Sequence, residues 1–88
     1  MDQLNQLTQL PNIGTTVAEK LIQTGIATPK ELLEMGSKQA FIRIQTIDPT
    51  ACLNMLQGLE GAVQGIRWHH LSKERKEQLK EFYKLKRL

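Results

Sequence analysis

The 88-residue sequence predicts an all-α fold of about six helices. Three observations predict it. No stretch alternates apolar and polar residues with the period of two that a half-buried strand requires. Apolar residues recur instead at three- and four-residue spacing in short blocks. Between the blocks stand stop and start signals: Leu10-Pro11-Asn12-Ile13-Gly14, Thr24-Gly25-Ile26, Thr28-Pro29, Met35-Gly36-Ser37, Asp48-Pro49, Gly65 and Ser72.

The first helix takes Asp2 as its cap and carries Leu4, Leu7 and Leu10 among Gln and Asn. Pro11 disfavours helical geometry at Leu10, so the helix is expected to stop there. Gly14 is free to take a backbone shape closed to other residues. Thr15 or Thr16 is expected to cap a second helix from about Thr16 to Thr24, and Thr16 with Glu19 has capping-box spacing. Ile13, Val17, Ala18 and Leu21 fall on one side, and the small Ala18 lets the two helices touch closely. The stretch Leu10–Leu21 resembles a helix-hairpin-helix motif, which families of DNA-repair and replication proteins use to hold phosphates on turn amides. Asn12, Gly14, Thr15, Thr16 and Lys20 are the phosphate candidates, because free amides at a helix start, with the positive dipole end, suit an anion. Two departures count against that use. DNA-gripping hairpins commonly have glycine where Asn12 stands and a lysine or arginine near Thr15 or Thr16. A plain helix connector is the favoured reading.

Gly25 ends the second helix, with Ile26 as the apolar residue just past the stop. Thr28-Pro29-Lys30-Glu31 is the clearest start signal: a cap, a proline at the first helical position and a capping-box glutamate. The third helix holds Leu32, Leu33 and Met35. Gly36 ends it, and Ser37 opens a fourth with Ala40, Phe41 and Ile44 on its apolar face. Leu10-x-x-Ile13-Gly14-Thr15-x-x-Ala18 recurs, offset by 22 residues, as Leu32-x-x-Met35-Gly36-Ser37-x-x-Ala40. Residues 1–46 are therefore a candidate pair of helix-hairpin-helix units.

Asp48-Pro49 is expected to open the longest apolar helix, about Pro49 to Gly65. Cys52, Met55, Leu56, Leu59, Ala62, Val63 and Ile66 share its core face at about 100° per residue. Cys52 is thereby read as an inert packing residue. Gly58, Gly61 and Gly65 line the other side. An interior glycine costs about 1 kcal/mol against alanine, so their presence points to a backbone in close approach. An internal crossing is favoured over a partner or dimer seam at these three glycines. Arg67-Trp68-His69-His70-Leu71 is a linker with Trp68 as a core anchor, and Ser72 caps the last helix. There Leu79, Phe82 and Tyr83 share one face with Arg75 alongside, Lys73, Lys76, Lys80, Lys84 and Arg87 fill the next, and Glu74, Glu77 and Glu81 a third.

The net charge of +3 is unevenly spread: residues 1–65 hold four Lys/Arg against six Asp/Glu, residues 66–88 eight against three. The basic character therefore sits in the last helix and not around the hairpin, where a dedicated DNA-binding domain would usually carry it. The basic stripe is either solvated or matched to an anionic partner, nucleic acid or an acidic protein surface. Two adjacent histidines and one cysteine give no zinc-ligand spacing. No nucleophile–base pair, carboxylate pair or nucleotide loop is evident, so no enzyme, no metal and no cofactor is expected. No apolar run reaches membrane length and no signal peptide is present, which predicts a cytoplasmic chain with no membrane partner.

A wider resemblance covers nearly the whole chain. Leu10-Pro11-Asn12-Ile13-Gly14, Ala18-Glu19-Lys20-Leu21, Gly25-Ile26, Cys52-Leu53-Asn54-Met55-Leu56, Leu59-Glu60-Gly61-Ala62 and Gly65-Ile66-Arg67-Trp68-His69 stand in the order seen in the C-terminal domain of the TfoX/Sxy family. The resemblance is specific from Cys52 to His69. It implies a compact bundle like the helix-hairpin-helix domains, and a link to bacterial regulators of natural competence that act with a cyclic-AMP receptor protein at promoters. Full-length family members also carry an N-terminal domain, to which nothing in these residues corresponds. The expectation is one domain over residues 1–88, with the core helix and basic last helix in 49–88. It is expected to work as a regulatory module, monomer or homodimer, that binds protein in a transcription complex. The alternative is weak, sequence-independent DNA binding through the hairpin amides and the basic last helix.

Overall fold

The computed structural model describes residues 2–86, and the chain runs through six α-helices among them, with no strand. Helix α1 spans Asp2–Thr8 and α2 spans Thr15–Gln23. Then come α3, Pro29–Met35, and α4, Ser37–Ile47. Helix α5 spans Leu53–Gln64, a short 3₁₀ turn covers Trp68–His70, and α6 spans Lys73–Lys86.

Helix α1 ends two residues before Leu10. Pro11 lies in a tightening turn in which Leu10 N–H bonds to Leu7 O (3.1 Å) and Ile13 N–H to Leu10 O (3.3 Å). The expected threonine cap of α2 is not formed. Gly14 occupies the cap position, no side chain covers the first amides, and Thr15 and Thr16 are already helical. Gly14 itself is in ordinary extended geometry (φ −91°, ψ 179°), so its glycine freedom is unused. The left-handed residue of this turn is Asn12, at φ 68°.

The C-terminal stop of α2 is a Schellman motif. Gly25, at φ 94°, donates to Ile22 O, and Ile26 N–H returns to Leu21 O at 2.9 Å, which drops Ile26 into the core. The Thr28 capping box is complete: Glu31 N–H bonds to Thr28 Oγ1, and Thr28 N–H bonds to the Glu31 carboxylate. In α3 only Leu32 is buried; Leu33 is exposed. The two glycines matched by the internal repeat have different backbones, since Gly36 has φ 85°.

The start of α5 differs from the sequence expectation. Residues 49–52 are not helical. Asp48 folds Pro49-Thr50-Ala51 into a turn: Ala51 N–H bonds to Asp48 O (3.1 Å), and Asp48 Oδ1 accepts from Thr50 N–H (3.0 Å) and Thr50 Oγ1–H (2.5 Å). An Asx turn with proline at its second position competes with helix initiation, and here it wins. Cys52 becomes the cap residue of α5 and is exposed; it does not pack in the core.

Helix α5 is central, packing on α4, on α6 and on the 3₁₀ turn, while α1 packs on α2 and α3 on α4. Leu56 and Leu59 are fully buried where these elements meet, with Phe41 and Ile44 of α4 and Leu79 of α6. Tyr83 meets Phe41 edge-on, with ring centroids 6.0 Å apart. Burying such side chains stabilises the bundle by about 1.5–3 kcal/mol each.

Candidate functional site

The hairpin turn between α1 and α2 is fastened from within. Left-handed geometry at residue 12 suits glycine or asparagine, and here it turns the Asn12 side chain onto α5. Its Nδ2 donates to Gly58 O (3.3 Å) and Ile66 O (3.0 Å), and its Oδ1 accepts from Trp68 N–H (3.1 Å). Two carbonyls on one end and an N–H on the other fix which end is which. The amide thus joins the hairpin, α5 and the 3₁₀ turn.

The same contacts explain the glycines of α5. A Cβ on Gly61 would lie 2.4 Å from Asn12 Nδ2 and 2.7 Å from Ile66 O, so only glycine fits. A Cβ on Gly58 would stand 3.5 Å from Asn12 Cβ, an ordinary contact. Both glycines are buried, and the close approach comes from a turn of the same chain, not from a crossing helix. Gly65 sits apart from them, exposed, and ends α5 at φ 76°.

Of the hairpin's phosphate candidates, Asn12 is spent on these bonds. The Lys20 ammonium pairs with Asp48 Oδ2 across the molecule. Hydrogen bonds from Lys20 and then Thr50 hold the Asp48 carboxyl at about 2, below its ordinary 3.8. Gly14, Thr15 and Thr16 remain exposed, with the amides at the start of α2 uncapped by any side chain.

On α6, Lys73, Lys80 and Lys84 are exposed. Lys84 lies 3.9 Å from Glu81, both in solvent. Lys76 is half-buried: its Nζ sits 5.5 Å from the Trp68 ring centroid and donates to His69 O at 3.3 Å. The His69 ring stacks on Trp68, with centroids 4.2 Å apart. Trp68 is half-buried, its indole packed against the core as expected. Arg87 lies outside the described residues.

The sequence reading missed the buried carboxylate of Glu60, 6% exposed. It accepts from Ser37 Oγ–H (2.6 Å), Gln64 Nε2–H (2.6 Å), and Arg75 Nε–H and Nη2–H (3.0 and 3.2 Å). Burial pushes its pKa up, but the bonds from Arg75, Ser37 and Gln64 outweigh that and hold it at about 2, against an ordinary 4.5. A signal was present: Arg75 lies beside the apolar face of α6 and needs a counter-ion, and Glu60 is the only acid between Asp48 and Glu74. Among the described residues no group of three or more His, Cys, Asp or Glu is placed to hold a metal ion, and no helix is long and apolar enough to cross a membrane.

Known proteins bear on this arrangement. The chain matches the TfoX C-terminal domain over residues 3–83. It is similar to a crystal structure of an uncharacterized protein from Listeria monocytogenes in a triclinic form, at 51% identity over 90% of each chain with a TM-score of 0.89. A tetragonal form of a Listeria monocytogenes protein of unknown function gives 51% identity over 90% of this chain and 96% of that one, with a TM-score of 0.88. No curated protein matches. The family match spans α1 through most of α6, and so takes in both the Asn12 joint and the Glu60–Arg75 pair: the chain belongs to the TfoX C-terminal domain family.

Proposed function

We propose that this chain is a non-enzymatic regulatory module, like the C-terminal domain of competence regulators, that acts in the cytoplasm by binding another protein within a transcription complex. Family membership supports the regulatory part of this reading. One observation supports protein over nucleic acid: the hairpin's lysine, Lys20, is neutralised by Asp48, and its polar tip, Asn12, is turned inward. What the hairpin leaves outside is Gly14, Thr15, Thr16 and Glu19, a face with no free cation. Phosphate binding draws most of its affinity from cationic side chains.

A second reading is weak, sequence-independent DNA binding. It draws on the uncapped amides of α2 and the exposed lysines of α6. Affinity of about 10⁻⁴ M or weaker is expected of it, with log K falling against log salt at a slope of about −3 to −4. A pull-down from the source cell, with and without nuclease, separates the two. Retention of a bound protein after nuclease treatment is expected; loss of everything bound once nucleic acid is destroyed would overturn the first reading.

A further inference from the structure

We infer that the exposed side of α6 is a docking strip for an amphipathic helix of the partner protein, one that carries acidic residues at three- and four-residue spacing. This rests on the protein-binding reading above and names the chemistry of the partner.

Lys73, Lys76, Lys80 and Lys84 lie within an arc of about 80° on α6. Lys76, Lys80 and Lys84 follow one another at about 6 Å along the axis, the rise of four helical residues. A second helix laid alongside presents carboxylates at the same interval. Within α6 the pairs Lys76–Lys80, Lys80–Lys84 and Glu77–Glu81 set like charges four residues apart, which weakens a helix. Counter-charges from outside relieve that repulsion. Among the described residues the strip's only acidic neighbour within ion-pair distance is Glu81, 3.9 Å from Lys84 with both groups exposed, while Lys76 donates to the His69 carbonyl.

The sorting of charge selects the partner. Glu74, Glu77 and Glu81 form an exposed row directly beside the lysines. Duplex DNA carries about one negative charge per 1.7 Å of axis, all of one sign. It would meet the glutamate row together with the lysine row. A partner helix, about 10–12 Å across, can set acids against the lysines and bases against the glutamates. At the N-terminal end of the strip stands the half-buried Trp68, with the exposed His69 ring stacked on it and the Lys76 ammonium over it.

The test uses a synthetic helical peptide with Glu at positions i, i+4, i+8 and i+11 and Lys on the neighbouring face. Its controls are a composition-matched scrambled peptide and a short DNA duplex. Titration at about 50 mM salt, followed by amide shifts, should place the patterned peptide on Trp68 and α6. It should bind about tenfold tighter than the scrambled one, as three or so surface pairs permit. The charge reversal Lys73→Glu, Lys80→Glu, Lys84→Glu changes only exposed positions, and circular dichroism is used to check that the variant folds. It should lose the acidic peptide and gain one in which Lys replaces the four Glu while the neighbouring-face Lys, which meet the unchanged Glu74, Glu77 and Glu81, are kept. Equal binding of the scrambled peptide, no binding, shifts away from α6, or displacement of the peptide by the duplex would each overturn the inference. The nuclease-treated pull-down repeated with the reversed chain tells the two failures apart. Capture unchanged by the reversal sinks the strip and leaves the protein-binding reading standing; capture abolished by nuclease in the parent chain sinks the reading itself.

Discussion

Asn12 carries two demands at once, and each can be removed separately. Its backbone is left-handed at φ 68°, and its side chain makes three bonds to α5 and the segment after it. Asn12→Gly keeps the backbone shape and deletes the bonds, and is expected to cost about 1–3 kcal/mol in urea unfolding. Asn12→Ala adds the left-handed penalty of about 1–2 kcal/mol. If the two variants were equally stable, the turn would not be left-handed in solution. The glycines opposite should diverge in the same assay. Gly61→Ala brings a Cβ to 2.4 Å from Asn12 Nδ2 and should destabilise, whereas Gly58→Ala meets only a 3.5 Å contact. The latter should be neutral or stabilising by up to about 1 kcal/mol through helix propensity. Sequence alone signalled that something approaches these glycines, because two in one helix interior are costly. It did not signal what, because a turn 46 residues away leaves no periodic trace.

At the scale of elements, Glu60 ties the start of α4 and the first turn of α6 to α5. Its pKa is held at about 2 in the folded chain, against 4.5 ordinarily, so the unfolded chain binds the proton more readily. The sign follows: the stabilisation is complete above pH 4.5 and is lost as pH falls towards 2. Asp48, lowered from 3.8 to about 2 by Lys20 and Thr50, adds to the same acid limb. Glu60→Gln should flatten that limb without abolishing it. It should also destabilise at neutral pH by about 1–3 kcal/mol, since Arg75 loses its counter-charge. An unchanged acid limb in this variant would show that Glu60 is not the group that titrates. Helix ends were legible where the chemistry is local, as in the Thr28 capping box and the Gly25–Ile26 stop. They were misread where two local chemistries compete. Asp48-Pro49 serves as well for a turn as for a helix start, and the turn prevailed because Lys20 and Thr50 hold Asp48 in place.

Across the whole molecule, the apolar spacing of α4 and α5 gave the core: Phe41, Ile44, Leu56 and Leu59 are all fully buried. Leu59→Ala should cost about 2–5 kcal/mol, and a loss below about 0.5 kcal/mol would place that side chain outside the core. The candidate site was half legible. Lys73, Lys80 and Lys84 of α6 are exposed as their helical spacing predicts, because charged residues facing solvent need no tertiary partner, whereas Lys76 is half-buried against Trp68. The internal capture of Asn12 and Lys20 was not legible, since both depend on residues distant in the chain. That capture makes the hairpin a joint within the fold, and recognition is accordingly proposed to lie on α6. Amide shifts of the chain against a short DNA duplex at about 50 mM salt and high-micromolar protein test this most directly. The Gly14, Thr15, Thr16 and Val17 amides should hold their positions throughout the titration. Saturable shifts centred on those four amides would contradict it and make the hairpin a phosphate clamp.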